Sequence, residues 1–283
     1  GGGGRQVGDA PGFTPPQTPP RQGEGNPVAS AARDADHLPE VALFADTFNT
    51  HFEPENLHAA VDVLTRLGYR VTPLHPADGG RPLCCGRTFL SAGLVEEARV
   101  EARRVLAAAL PFVARGIPVV GLEPSCLLTL RDEFLAMLPG DDTERLGSHA
   151  YLFEEFLARE RAAGRLPASI GQSSGKVLLH GHCHQKAFGA IASIQSTLEL
   201  IDGLGVETVE SSCCGMAGAF GYGADTYEAS IAMGELSLLP AVRQAPPETL
   251  IAADGFSCRH QIRDGTGREA LHVARILHHA MVE

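Results

Sequence analysis

The chain has 283 residues, of which 44% are hydrophobic, and its 23 basic and 34 acidic residues give a net charge of −11. There is enough apolar material for a large core, and the acidic balance without a Lys/Arg block argues against a nucleic-acid partner. The sequence contains no apolar run long enough for a membrane span and no signal-peptide pattern. We expect a soluble, cytoplasmic protein that reaches the inner face of a membrane only through a partner.

The first 39 residues are rich in Gly and Pro and contain almost no apolar run. Such a segment buries too little surface to offset the entropy lost on ordering. Residues 1–39 are therefore predicted to be a disordered linker.

From residue 40 onwards, short apolar runs alternate with amphipathic stretches, which is typical of strands followed by helices. In the first half we predict strands at 41–44, 70–74 and 117–122, helices at 55–67, 94–114 and 149–163, a loop at 84–86, and a helix beyond residue 126.

The second half repeats this order. It has predicted strands at 177–181, 206–209 and 249–253, helices at 191–201, 226–242 and 268–281, a loop at 213–215, and a helix that opens at 257. The repeat predicts an α/β fold of two pseudo-repeated Rossmann-like units with mostly parallel sheets, residues 40–170 and 171–283.

Cysteines mark the same places in both units. They are Cys84-Cys85-Gly86 with Cys126 in the first unit, and Cys213-Cys214-Gly215 with Cys258 in the second. The offset between the copies is about 130 residues. Seven cysteines, an odd number, in a chain of this length argue against a disulfide framework and favour ligation of a metal or cluster.

Each of these cysteines follows a predicted strand. Because parallel strands end at the same edge of a sheet, we expect the thiols to meet there. A pair of neighbouring cysteines can face one site only if the chain bends, and Gly86 and Gly215 permit the bend. Helix N-termini at this edge would stabilise thiolates.

The second unit carries four thiols, since Cys183 precedes its pair: Cys183, Cys213, Cys214 and Cys258. Four thiolates suit a [4Fe-4S] cluster or a zinc ion. The first unit offers only Cys84, Cys85 and Cys126 as ligands of a second metal site, with Asp46 or Thr47 where a fourth thiol would be. The alternative for any single cysteine is an inert core residue.

Histidines alternate around Cys183, at His180, His182 and His184, and Lys186 follows. Such groups can ligate a metal, orient a substrate carboxylate or carry a proton, or they can simply bond to the backbone. We take His182, His184 and Lys186 as the candidate catalytic residues.

Several longer strings carry a resemblance. They are Asp46-Thr-Phe, Cys84-Cys-Gly-Arg87, Gly121-Leu-Glu-Pro-Ser-Cys126, Gly181-His-Cys-His-Gln-Lys186, Cys213-Cys-Gly-Met-Ala-Gly-Ala-Phe-Gly-Tyr222 and Gly255-Phe-Ser-Cys-Arg259. They resemble the paired CCG cysteine-rich domains of the cysteine-rich heterodisulfide reductase subunit, of the iron–sulfur subunits of glycolate and glycerol-3-phosphate dehydrogenases, and of the C-terminal region of FAD-linked oxidases of the D-2-hydroxyglutarate and D-lactate dehydrogenase type.

The resemblance implies an iron–sulfur electron-transfer module of a 2-hydroxy-acid dehydrogenase, inactive as an enzyme alone. Electrons would pass from FAD through a [4Fe-4S] cluster towards a quinone or other acceptor. The chain has no C-x-x-C-x-x-C run, so we expect the flavin and a ferredoxin-like segment on a separate domain or subunit.

The sequence departs from the five-thiol pattern of heterodisulfide reductase, because Glu123 and Gly255 occupy the first positions of the late cysteine pairs. This departure favours an ordinary cubane in the second unit and a degenerate first site. Two alternatives remain open, namely a zinc-binding structural and docking module without redox activity, and thiol chemistry at Cys84-Cys85 or Cys213-Cys214.

Overall fold

The computed structural model describes residues 38–282, so all but the last two residues of the predicted linker lie outside the described part. The first-half elements are β1 (Glu40–Phe44), α1 (Thr47–His51), α2 (Pro54–Arg66), β2 (Arg70–Pro73), α3 (Arg87–Ser91), α4 (Val95–Val113), β3 (Val119–Gly121), α5 (Pro124–Thr129), α6 (Glu133–Met137), α7 (Asp141–His149), β4 (Ala150–Leu152) and α8 (Phe153–Ala162).

The second half continues the alternation of strands and helices. Its elements are β5 (Gly171–Gln172), β6 (Lys176–Leu179), α9 (Cys183–Ala187), α10 (Ile191–Leu198), β7 (Ile201–Asp202), β8 (Gly205–Thr208), a 3-10 turn (Phe220–Tyr222), α11 (Tyr227–Glu235), α12 (Leu238–Gln244), β9 (Leu250–Ala252), α13 (Phe256–Thr266) and α14 (Val273–Val282).

The first half forms a four-stranded parallel sheet in the order β2-β1-β3-β4. At its centre β1 buries four consecutive residues, 41 to 44. A continuous apolar run of this kind is typical of a parallel strand that is covered on both faces.

The second half has the same strand order. Its main sheet is β8-β6-β9, again all parallel, and Leu271 forms a parallel bridge with Ala252 at the place equivalent to β4. The short strands β5 and β7 pair separately. This shared order confirms the predicted α/β fold of pseudo-repeated units with parallel sheets.

The two halves share a hydrophobic core. One buried cluster contains Val41 and Leu43 from β1 together with Val177 and Leu179 from β6. The division of the chain near residue 170 stays a prediction. Within residues 38–282, every helix is too short or too polar to cross a bilayer.

Four predicted helices differ from the structure. The helix predicted at 191–201 ends at Leu198, because Ile201 pairs with Gly171 in the short sheet of β5 and β7. The helix predicted at 226–242 is two helices, α11 and α12, because Pro240 lacks a backbone N–H and its ring excludes the carbonyl of residue 236 from a continuous helix. The segment predicted as helix from 149 begins with β4, since its first residues pair with β3. The last helix starts at Val273 instead of residue 268, because Leu271 is held against β9.

Candidate metal centre

The second-half cysteines lie directly beyond the ends of strands β6, β8 and β9, as predicted. Cys183 is the first residue of α9, and Cys258 is the third residue of α13. Cys213 and Cys214 lie in the loop after β8, where Gly215 has φ +95 and a Cβ would run into the carbonyl oxygen of Ser230. Only glycine allows the chain to turn here and present both thiols.

The four thiols form one connected run, in which each contacts the next in the order Cys183, Cys213, Cys214, Cys258. Hydrogen bonds from the flanking thiols lower the pKa of Cys213, and the hydrogen bond from Cys214 lowers the pKa of Cys258. Contact with Cys213 raises the pKa of both Cys183 and Cys214. Thiols with a raised pKa and thiols with a lowered pKa therefore alternate along the run.

This donor set fits a cationic centre. A metal or cluster would replace the shared protons, because ligation requires thiolates and releases protons. Cys214 and Cys258 are 4% and 1% exposed, whereas Cys183 is exposed. Water is thus kept from one side of the site, and the Cys183 side stays open.

His180 adds a nitrogen to the buried side of the site. Its ring nitrogen and the sulfurs of Cys214 and Cys258 all lie within 4.8 Å of one another. The histidine is 1% exposed, and its Nδ1 lies 2.9 Å from Ser211 Oγ. The alternating histidines of the sequence drew attention to His180. Its position beside Cys258 results from the pairing of β6 with β9.

His182 lies beside Cys183 and packs against Gly255. Its Nδ1 accepts a hydrogen bond from the backbone N–H of His184 at 3.1 Å and lies 3.9 Å from Cys183 Sγ. Burial lowers its pKa, so the ring is neutral. A Cβ at position 255 would collide with this ring and lie 3.2 Å from Cys258 Sγ. The imidazole thus fills the space that a cysteine at 255 would need.

His184 and Lys186 have different surroundings. Arg87 lies 2.9 Å from His184 Nε2 and pairs with Glu133. Burial, followed by the charges of His182 and Arg87, lowers the pKa of His184 to about 4. Lys186 Nζ donates to the carbonyls of Ser211 and Ser212, which anchors the loop before Cys213. Catalytic roles for His182, His184 and Lys186 stay predictions.

A cavity of about 400 Å³ opens onto the four second-half thiols. The first half contributes Phe48, Arg87, Glu123 and Ser125 to its wall, and Tyr222 of the second half also lines it. Cys84, Cys85 and Cys126, all within the described part of the chain, do not line this cavity.

The first-half thiols form a shorter run. Cys85 contacts both Cys84 and Cys126, and the Thr47 hydroxyl hydrogen-bonds to Cys84 in the place that Cys183 takes in the second half. Contact with Cys85, followed by burial, raises the pKa of Cys84. Contact with Cys126, together with burial, raises the pKa of Cys85, although contact with Cys84 acts in the opposite direction. Contact with Cys85 lowers the pKa of Cys126, but burial and the nearby charges of Asp46 and Glu123 together raise it to about 11. These groups are neutral thiols at neutral pH.

Two buried polar contacts across the halves were not predicted. Glu123 Oε1 accepts from Ser125 at the start of α5, while its Oε2 accepts from Phe256 N at 2.8 Å at the start of α13. Arg259 on α13 pairs with Glu53 from the first half. A glutamate before Pro124 is a helix-start signal, but the sequence gives no sign that it caps two helices.

Comparisons with known proteins match this arrangement. Residues 177–263 match the family of CCG cysteine-rich domains. The chain is 29% identical over 255 residues to an anaerobic glycerol-3-phosphate dehydrogenase subunit of Escherichia coli, covering 89% of this chain and 61% of that protein.

Two further relatives differ greatly in length. D-2-hydroxyglutarate dehydrogenase of Pseudomonas putida is 30% identical over 240 residues, which are 84% of this chain and 22% of that enzyme. Lactate utilization protein A of an Exiguobacterium species is 26% identical over 257 residues, 85% of this chain and 97% of that protein. The chain thus spans less than two thirds of the glycerol-3-phosphate dehydrogenase subunit and about a fifth of the D-2-hydroxyglutarate dehydrogenase.

Proposed function

We propose that this chain is the iron–sulfur electron-transfer module of an FAD-linked 2-hydroxy-acid dehydrogenase of the D-2-hydroxyglutarate, D-lactate or glycolate type. Its residues 177–263 match the family of CCG cysteine-rich domains. It would pass electrons from a flavin on a separate domain or subunit, by way of a ferredoxin-like segment, towards a quinone or other acceptor. The observation that carries this proposal is the connected run of four second-half thiols at one edge of the sheet.

The chain's own residues would bind and shield the centre. Cys183, Cys213, Cys214 and Cys258 would hold a [4Fe-4S] cluster, which supplies one-electron oxidation and reduction at this place. The buried thiols of Cys214 and Cys258 exclude water on one side, and the exposed Cys183 faces the side from which a partner can approach. Burial and nearby hydrogen bonds set the potential of such a centre.

The second-half site is expected to fill before the first-half site. Thiolates are the ligating form, and the first half holds three neutral thiols with a threonine in the fourth place. The second half already contains two thiols whose pKa is lowered by their neighbours.

Metal analysis of the full chain, prepared without oxygen, tests the proposal. We expect about four iron and four sulfide per chain, and visible absorption that bleaches on reduction. Cys258→Ser and Cys214→Ser should lose the iron. Cys126→Ser changes an equally buried thiol in the first half and should keep it. A colourless wild-type protein that contains zinc without sulfide would overturn the proposal.

One observation favours a second candidate, a zinc-binding structural and docking module. The close group of His180, Cys214 and Cys258, with ligand atoms within 4.8 Å, is of the mixed Cys/His kind that zinc uses. The same analysis distinguishes the two, since stoichiometric zinc without acid-labile sulfide supports the docking module and iron with sulfide supports the electron carrier.

A further inference from the structure

The starting observation is a buried histidine nitrogen that lacks a hydrogen-bond partner. His180 is 1% exposed, and its Nε2 has no partner among residues 38–282, whereas its Nδ1 is engaged with Ser211 Oγ. A buried polar group left unpaired costs free energy, so an acceptor or a bound group is expected beside Nε2.

The direction of the hydrogen bonds around Ser211 sets the tautomer of His180. Lys186 can only donate, and its Nζ lies 3.3 Å from Ser211 Oγ, so the serine oxygen accepts there. Among the described residues, the acceptor that remains for the Ser211 hydroxyl proton is His180 Nδ1, 2.9 Å away. The ring therefore carries its proton on Nε2.

Two sulfurs of the second-half site lie close to the His180 ring and can accept from this N–H. A His180 ring nitrogen and the sulfurs of Cys214 and Cys258 lie within 4.8 Å of one another, and Nδ1 is already engaged. Of the two sulfurs, that of Cys258 interacts with the His180 side chain, whereas that of Cys214 contacts the thiols on either side of it, Cys213 and Cys258. A neutral N–H beside a buried thiolate is a favourable, charge-assisted hydrogen bond.

We propose that His180 donates a hydrogen bond from Nε2 to the Cys258 sulfur, held in that tautomer by Ser211 and Lys186, and that this bond raises the reduction potential of the centre. The effect on potential rests on the proposed function. Reduction adds negative charge to the cluster and its sulfurs, so a donor fixed beside one sulfur stabilises the reduced state more than the oxidised state.

The reduction potential of the full, iron-loaded chain is the first readout, measured by a spectroscopic redox titration at matched iron content. His180→Leu should shift the potential to a more negative value, and His180→Gln, which can still donate, should shift it less. Ser211→Ala should cause an intermediate shift, because the hydroxyl no longer fixes the tautomer.

A second buried histidine provides the matched control. His272 is 0% exposed, hydrogen-bonds to the Leu122 carbonyl and does not line the cavity at the four thiols. His272→Leu should lower stability without moving the potential. The proposal is overturned if His180→Leu keeps both its iron and its wild-type potential, or if His272→Leu moves the potential equally.

A measurement on zinc-loaded protein separates this inference from the electron-transfer proposal. Nitrogen NMR of 15N-histidine protein should report the His180 proton on Nε2 in the wild type, and a loss of that preference in Ser211→Ala. A proton on Nδ1, or a nitrogen bound directly to the metal, would overturn the hydrogen bond. A chain that holds only zinc would end the electron-transfer proposal and leave this test intact.

Discussion

At the scale of single residues, the contact between Gly255 and the His182 ring explains why position 255 bears no side chain. Gly255→Ala forces a Cβ into the imidazole, so we expect a loss of about 1–3 kcal/mol in the free energy of unfolding. Urea denaturation measures this loss.

Gly147→Ala on α7 is the matched control, because its Cβ would meet only atoms at 3.6 Å or beyond. Alanine is the better helix former, so this variant should gain up to about 1 kcal/mol. Equal stability of Gly255→Ala and wild type would contradict the close contact at position 255.

Glu123 predicts a pH dependence. Burial, with the nearby Asp46 charge, raises its pKa from 4.5 to about 8, although Arg259 acts in the opposite direction. The folded chain therefore keeps the proton to a higher pH than the unfolded chain. The contribution of the protonated Glu123 carboxyl to the free energy of unfolding is complete below about pH 4.5 and is lost as the pH rises through about 8.

Glu123→Gln should reduce this loss, since the amide stays neutral and its oxygen can still accept from Phe256 N. Denaturation midpoints of wild type and variant, compared between pH 6 and pH 9, measure the difference. Parallel curves for the two proteins would show that Glu123 does not titrate in this range.

At the scale of elements, helices α1 and α13 connect the first half to the candidate metal centre. Phe48 and Phe256 stack with ring centroids 4.9 Å apart, and Arg259 on α13 pairs with Glu53, which precedes α2. Because α13 carries Cys258, these contacts position one predicted ligand from outside its own half.

Glu53→Ala leaves the 5% exposed Arg259 without its partner and should cost about 2 kcal/mol or more in the free energy of unfolding. Glu96→Ala removes the exposed pair with Arg99 on α4 and should leave stability nearly unchanged. Chemical denaturation of both variants provides the comparison. A loss as small for Glu53→Ala as for Glu96→Ala would show that the pair does not hold α13.

At the scale of the whole molecule, the two halves depend on each other. The shared core joins β1 to β6, and Glu123 from the first half caps the helix that carries Cys258. Residues 171–283 contain every thiol of the second-half site, yet they expose this core surface when produced alone.

We therefore expect the 171–283 fragment to be poorly folded and to hold little iron, and co-production with residues 38–170 to restore both. Circular dichroism, limited proteolysis and iron content measure the outcome. A well-folded, iron-loaded fragment would show instead that the second half is self-sufficient.

Much of the architecture could be predicted from local pattern. The apolar runs at 41–44 and 177–179 and the repeated cysteine triplets predicted the strands and the edge where the thiols meet, because strand burial and Cys-Cys-Gly turns are local properties. The break before Pro240 was missed although proline marks it, since Leu239 before it and Ala241 after it are both good helix formers.

The rest depends on residues far apart in sequence. Glu123 meets Phe256, His180 meets Cys258, and β4 exists only because β3 lies beside it. Such contacts are set by how the two halves pack, and no local pattern around Glu123 or His180 encodes them.

The imidazole packed against Gly255 also couples two positions in any redesign of this site. A cysteine introduced at 255 would clash with the His182 ring, and a smaller residue at 182 alone would leave a cavity beside α9. The two positions can therefore be exchanged only together. A sequence that gains a fifth cysteine at 255 by single substitutions must pass through an intermediate with either a steric clash or a cavity.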